Sequence, residues 1–239
     1  MDKSIQIISV PNLLVALIPV FMVLVVMWKW KQGLKTSIWA IFRMVVQLIL
    51  IGYALTYIFE SDNAWIVIGV LVVMLFSSSW IALRTLSDQR TQLYLKALAS
   101  IVLGGLLVLL LISQGVLMLD PWYLPQYLIP LAGMIFANSM NSVSLAGERL
   151  VSELKRGLPY IDARNTAFRA ALIPITNSLF AVGLVSLPGM MTGQILSGIS
   201  PLIAVRYQIM VMCMAFGSAG ISVALFLVFT RTNFSLNKV

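Results

Sequence analysis

Histidine is absent from the 239 residues, and cysteine occurs once, as Cys213. The first absence removes the commonest neutral metal ligand and the one side chain that ordinarily titrates near neutral pH. A lone thiol forms no intrachain disulfide and is silent about redox compartment. Charge is also scarce: 10% of residues are Asp, Glu, Lys or Arg and 60% are hydrophobic. Soluble domains carry roughly 25% charged residues, so this composition specifies an integral membrane protein. The eight acids (Asp2, Glu60, Asp62, Asp88, Asp120, Glu148, Glu153 and Asp162) fall outside every long apolar run. A proton-driven pump needs a protonatable group inside the membrane, and a hard-cation cage needs carboxylates there; neither is available. No G-x-x-x-x-G-K-[ST] phosphate loop exists, because Gly33-Leu34-Lys35-Thr36 lacks the spacing. No Ser/His/Asp, Cys/His or paired-carboxylate arrangement argues for catalysis. The expectation is a transport protein that is not an enzyme, binds no cofactor of its own, and draws any energy from a partner. Met1-Asp2-Lys3 is a poor start for a signal peptide.

What is present is a series of apolar runs separated by short charged segments. Spans are expected at about 11–30, 38–59, 64–83, 97–119, from about 127 to the segment at 148, at 170–187, and at 207–230. Of the 16 cations, only Lys3 and Arg206 fall on one side of this layout; the other 14 lie in or beside the segments of the opposite side. The positive-inside rule then puts the N-terminus outside and the C-terminus in the cytoplasm. The net charge of +8 is explained by those loops and needs no nucleic-acid partner. The expected fold is all-α: a single polytopic membrane domain over 1–239, with about seven transmembrane helices.

One stretch does not read as a plain span. Val182–Met212 is apolar, yet it holds Pro188, Gly189, Gly193, Gly198 and Pro201. Freed backbone groups find no partners in lipid, so such a break survives only inside protein or beside an aqueous cavity. Segment 188–204 is therefore either re-entrant or an outer loop, and Ser-Gly-Ile-Ser-Pro at 197–201 also suits a turn. In the re-entrant reading Pro188, Gly189, Met190, Met191 and Gly193 line a transport pathway. A sharp turn after Pro188 would ask positive φ or close backbone approach of Gly189.

The fifth span is the most polar. Asn138, Asn141 and Ser142 share a face with Met134, and amides are costly against lipid. They face other helices or a cavity, as do Thr176 and Asn177 of the sixth span. Gln47 of the second span belongs to the same candidate pathway. On the seventh span Ala215, Ser218, Ala219 and Ser222 form one small-residue face, suited to packing within the chain or between two copies.

The segment 148–169 has the pattern of a coupling element. Leu150, Val151 and Leu154 continue the fifth helix, Gly157 stops it, and Pro159 suits the first turn of the next. A short basic helix from Tyr160 to Arg169 then leads into the sixth span. Candidate contacts to an ATPase are Glu153, Gly157, Pro159, Tyr160, Arg164 and Phe168.

Three blocks carry a resemblance to a known family. They are Arg43–Phe59 with its Gln47-Leu48 and Gly52-Tyr53 pairs, Pro130–Ile135 continuing to Asn138 and Met140, and Arg169–Pro174 followed by Val182–Met212 with SLPGMM and YQIMVM intact. In these the sequence resembles the FetB-type ABC transporter permeases, bacterial iron exporters related to plant aluminium-tolerance membrane subunits. The resemblance implies a homodimeric permease in the lipid of the cytoplasmic (inner) membrane, driven by two copies of a separate ABC ATPase that uses ATP. The coupling segment departs from the family, with Arg156-Gly157-Leu158-Pro159 where relatives carry a Gly-Ala-Thr-Pro-like turn. The expected cargo is iron or another metal. The soft sulfurs of Met134, Met140, Met190, Met191 and Cys213 suit Fe³⁺ poorly, which leaves a chelated metal or a sugar-nucleotide-like solute open. A stand-alone carrier or channel is the alternative from another class. No metal-ligand set is legible.

Overall fold

The computed structural model describes residues 8–60 and 63–236. Asp2, Lys3, Asp62 and Lys238, which entered the charge count, lie outside the described residues. The chain divides into two compact units, Met1–Ser61 and Asp62–Val239.

The first unit holds α1 (Val10–Val15), α2 (Leu17–Lys29) and α3 (Leu34–Phe59). Ser9 caps α1, its hydroxyl accepting from the Asn12 amide at 3.4 Å. Pro19 explains the interruption at Ala16: it has no N–H to give the carbonyl four residues earlier, at Val15. Lys31 (φ 55°) and Gly33 (φ 53°) then reverse the chain into α3. Among the described residues of this unit only Ile58 is buried.

The second unit contains α4 (Ala64–Ala82), a 3₁₀ turn at Arg84–Gln89, α5 (Arg90–Leu110), a π-helical turn at Leu111–Val116, α6 (Pro125–Lys155), α7 (Tyr160–Ala181), α8 (Gly189–Leu196), α9 (Pro201–Phe229) and α10 (Arg231–Leu236). Asn63 caps α4 by accepting from the Trp65 amide at 2.9 Å. α6 and α9 form the centre: each packs on α5, on α7 and on the other.

Small residues set how closely these helices approach. The face Ala215, Ser218, Ala219 and Ser222 is buried within the chain. The Ser222 hydroxyl donates to Ser139 Oγ at 3.1 Å, and Ser139 Oγ donates to the Ser218 carbonyl at 3.3 Å. A Cβ on Gly104 would stand 2.9 Å from the Ser222 backbone nitrogen, so α5 can meet α9 here only without a side chain. The small-residue face is used within the chain: Ser218 and Ser222 meet α5 and α6, and Ala215 and Ala219 pack against Ile175 and Leu172 of α7.

The all-α, polytopic fold is as expected. Six helices among the described residues are long and apolar enough to cross a membrane, at 10–29, 34–59, 64–82, 84–116, 125–155 and 201–229. The expected span at 170–187 is instead the second half of α7 and ends at Ala181, where the chain turns through Gly183 at φ 83°. The first half of α7 carries Asp162, Arg164 and Arg169, so the short basic helix and the sixth span are one continuous element. The expected break at 188–204 falls into two turns, 182–188 and 197–200, on either side of α8. Gly189 is the first residue of α8 and has no neighbour within 4 Å of a would-be Cβ; Gly193 likewise has none. Positive φ belongs to Gly183 and to Gly198, at 91°. The conformational demand expected at Gly189 is therefore corrected: Pro188, in extended backbone, starts the helix without it.

Candidate functional site

A cavity of about 720 Å³ and another of about 600 Å³ lie at different places in the second unit. The smaller is walled by α6, α8 and α9. Met134 comes from α6, Met190 and Gln194 from α8, and Tyr207 and Met210 from α9. Three thioethers thus enter one cavity from three elements, with no charged side chain in the lining. Gln194 Oε1 is buried there without a hydrogen-bond partner. Nearby in sequence, Gln208 is only 5% exposed, and neither its amide nitrogen nor its oxygen is bonded. Gln194 belongs to the wall of the chamber, whereas Gln208 lines neither cavity. The π-helical turn that follows α5 supplies a further irregularity, of the kind often found at functional sites.

The structure thus joins Met134 of the expected pathway to Met190. It does not gather the whole set. Asn138 donates to the Met134 carbonyl at 2.8 Å along its own helix. Asn141 is exposed, whereas Ser142 is buried. Pro188, Gly189, Met191 and Gly193 belong to α8 or its start but lie outside the lining. Gln47 stands on α3 of the first unit, exposed. Asn177 lines the other cavity, between α7 and α9. Sequence reasoning missed Gln194, Tyr207 and Met210 of the lining. Gln194, an amide on an apolar stretch, was the available signal.

At its other end α6 meets α7 in a rigid corner. The Gly157 N–H bonds the Leu154 carbonyl at 3.0 Å and the Leu158 N–H bonds the Glu153 carbonyl at 3.2 Å. With Gly157 at φ 85°, this is a Schellman cap, as expected of that glycine. Pro159 is the residue just before α7. Two of the expected ATPase contacts also bond inside the chain. Glu153 is buried and ion-paired with Arg149 and, at 3.5 Å, with Arg156. The Tyr160 hydroxyl donates to the Leu227 carbonyl of α9. Burial pushes its pKa upward, which keeps the phenol proton in place to donate. Arg164 and Phe168 line the larger cavity together with Asn177.

The comparisons with known proteins agree with this architecture. The model of the Uncharacterised protein family UPF0014 matches residues 10–234. The chain belongs to this family. A UPF0014 membrane protein of Synechocystis is 40% identical over 205 residues, 76% of this chain and 77% of the relative. The Escherichia coli "Probable iron export permease protein FetB" is 34% identical over 228 residues, 88% of this chain and 86% of the relative. Protein ALUMINUM SENSITIVE 3 of Arabidopsis thaliana is 29% identical over 222 residues, covering 85% and 80%. No solved structure matches the chain. Relatives of this UPF0014 chain are named as membrane proteins, consistent with the six helices among the described residues that are long and apolar enough to cross a membrane.

Proposed function

We propose that this chain is the membrane subunit of an ATP-driven ABC exporter in the cytoplasmic membrane. It would act as a homodimer with two copies of an ATPase subunit, with iron or another metal as cargo. The observation that carries the reading is the continuity of α6. One unbroken helix, Pro125–Lys155, bears Met134 of the cavity and ends in the capped corner at Gly157. Met134 and the corner are about 30 Å apart along that axis. Movement of the corner by a closing ATPase would tilt α6 and reshape the cavity against α8 and α9, switching its access. The name of the relative FetB supports iron as cargo. The cavity lining favours a refinement: thioethers, amides and a phenol suit a chelated or softer species better than naked Fe³⁺.

The test is reconstitution. The purified chain alone should hydrolyse no ATP, and a complex with its ATPase should hydrolyse ATP and move radio-iron, free or chelated, across vesicle membranes. Robust hydrolysis by the isolated chain, or transport without an ATPase, would sink the ABC reading in favour of a stand-alone carrier.

A further inference from the structure

The larger cavity is a groove between α7 and α9 with a graded lining. Arg164 and Arg169 line its first half along α7, with Phe168 between them, and Leu172 and Ile173 follow, facing Leu227 of α9. Neither arginine has a carboxylate within ion-pair distance among the described residues, where the only ion pairs are those of Glu153. Arg164 spends two of its N–H groups on the neutral Asn165 Oδ1, at 3.2 and 2.9 Å. Asp162, the acid nearest in sequence, is exposed and does not line the groove. Outside the lining, Lys96 Nζ bonds Thr232 of α10 at 3.1 Å, and Arg231 acts electrostatically on Tyr160, as Arg164 does. The groove follows α7 from Arg164 to Asn177, about 20 Å of helix, with Phe168, Leu172 and Ile173 as its apolar wall and the neutral Thr176 and Asn177 at the far end.

Two unpaired arginines beside an apolar wall match a molecule with an anionic head and a hydrocarbon tail. We propose that this groove is a binding site for an anionic phospholipid, its phosphate on Arg164 and Arg169 and an acyl chain against Leu172, Ile173 and Leu227. Charge-assisted N–H bonds to phosphate are the strong kind, and basic pockets between membrane helices are suited to such headgroups. A bound lipid would cover the α7–α9 seam where Tyr160 holds the corner, so headgroup charge would tune the stiffness of the α6–α7 connection.

The test uses the full chain without any ATPase, in nanodiscs of phosphatidylglycerol or phosphatidylcholine, with retained lipid counted by native mass spectrometry. Wild type should keep phosphatidylglycerol through delipidation and lose phosphatidylcholine. Arg164→Gln/Arg169→Gln should weaken retention about tenfold or more. Ile173→Trp, at an exposed position of the trough, should do so by filling it with both arginines intact, and decides the matter if the double variant misfolds. Lys29→Gln/Lys31→Gln removes the same charge from the first unit and should leave retention unchanged. Equal retention of both lipids, or unchanged retention in the arginine and tryptophan variants, would overturn the proposal. So would displacement by millimolar inorganic phosphate, which would mean a free-anion site. A lipid-free dimer broken by Ile173→Trp would assign the groove to a second copy.

Discussion

The two cavities of the second unit share α9 and little else. Toward its Pro201 end, α9 contributes Tyr207 and Met210 to a chamber with no charge and an unbonded Gln194 oxygen. Toward its Phe229 end it contributes Leu227 to a groove lined by two arginines. The first chamber suits a solute that is neutral, shielded or soft. The second suits a fixed anion at a membrane surface. The net charge of +8 over the chain therefore says nothing about the cargo: the arginines line the groove, while the proposed cargo site is built from sulfur and amide.

The substitution expected to erase that contrast most completely is Gly104→Val. A side chain there collides with the Ser222 backbone, and relief requires α5 and α9 to separate. Overpacking of this kind costs about 1–3 kcal/mol, more where the obstacle is backbone. Loss of the folded chain in detergent, followed by thermal aggregation, is the expected outcome, with both cavities lost together. Normal thermal stability would show that the α5–α9 contact is looser than described.

Smaller changes should separate the two sites. Met190→Ala with Gln194→Leu should lower transport by the ATPase complex about tenfold or more while leaving phosphatidylglycerol retention intact. A parallel loss of both would mean that the chambers are not independent. Gln208→Leu removes a buried amide with no protein hydrogen bond, so stability should stay at wild type or rise by about 1–3 kcal/mol. A clear loss of melting temperature would reveal a bonded partner for Gln208.

The corner and α8 give the finer tests. Gly157→Val forces a β-branched residue to φ 85°, at a cost of about 1–2 kcal/mol. It should uncouple ATP hydrolysis from transport before it unfolds the chain, read as hydrolysis without cargo movement. The smallest effect belongs to Gly189→Ala and Gly193→Ala. A Cβ meets nothing within 4 Å at either, so stability should change by no more than about 0.5 kcal/mol. A transport defect in either, with stability unchanged, would show that a partner copy or the cargo approaches α8 closely.

Local features were legible from the residues alone. The apolar run at 64–83 became α4, the continuation through Leu154 became the end of α6, and Gly157 stops that helix through its backbone conformation. These depend on spacing and on one residue's steric freedom. The convergence of Met134, Met190 and Met210 was not legible, since it depends on how three helices separated by up to 76 positions pack. The internal bond of Tyr160 was hidden for the same reason. A tyrosine at the start of a basic helix looks like a docking residue, and only the packed structure shows the Leu227 carbonyl accepting its hydrogen bond. Glu153 looked like a surface acid, yet two arginines on its own helix neutralise it and permit its burial.

The central claim is that the chamber between α6, α8 and α9 holds the cargo and is reshaped through the α6–α7 corner. It is tested most directly by the reactivity of Met190→Cys in a Cys213→Ser background, in the complete complex with its ATPase. An impermeant maleimide should label this cysteine at a rate that differs about tenfold or more between the nucleotide-free and vanadate-trapped states, and saturating cargo should protect it in one of them. Equal rates in both states, with no protection by cargo, would contradict the account.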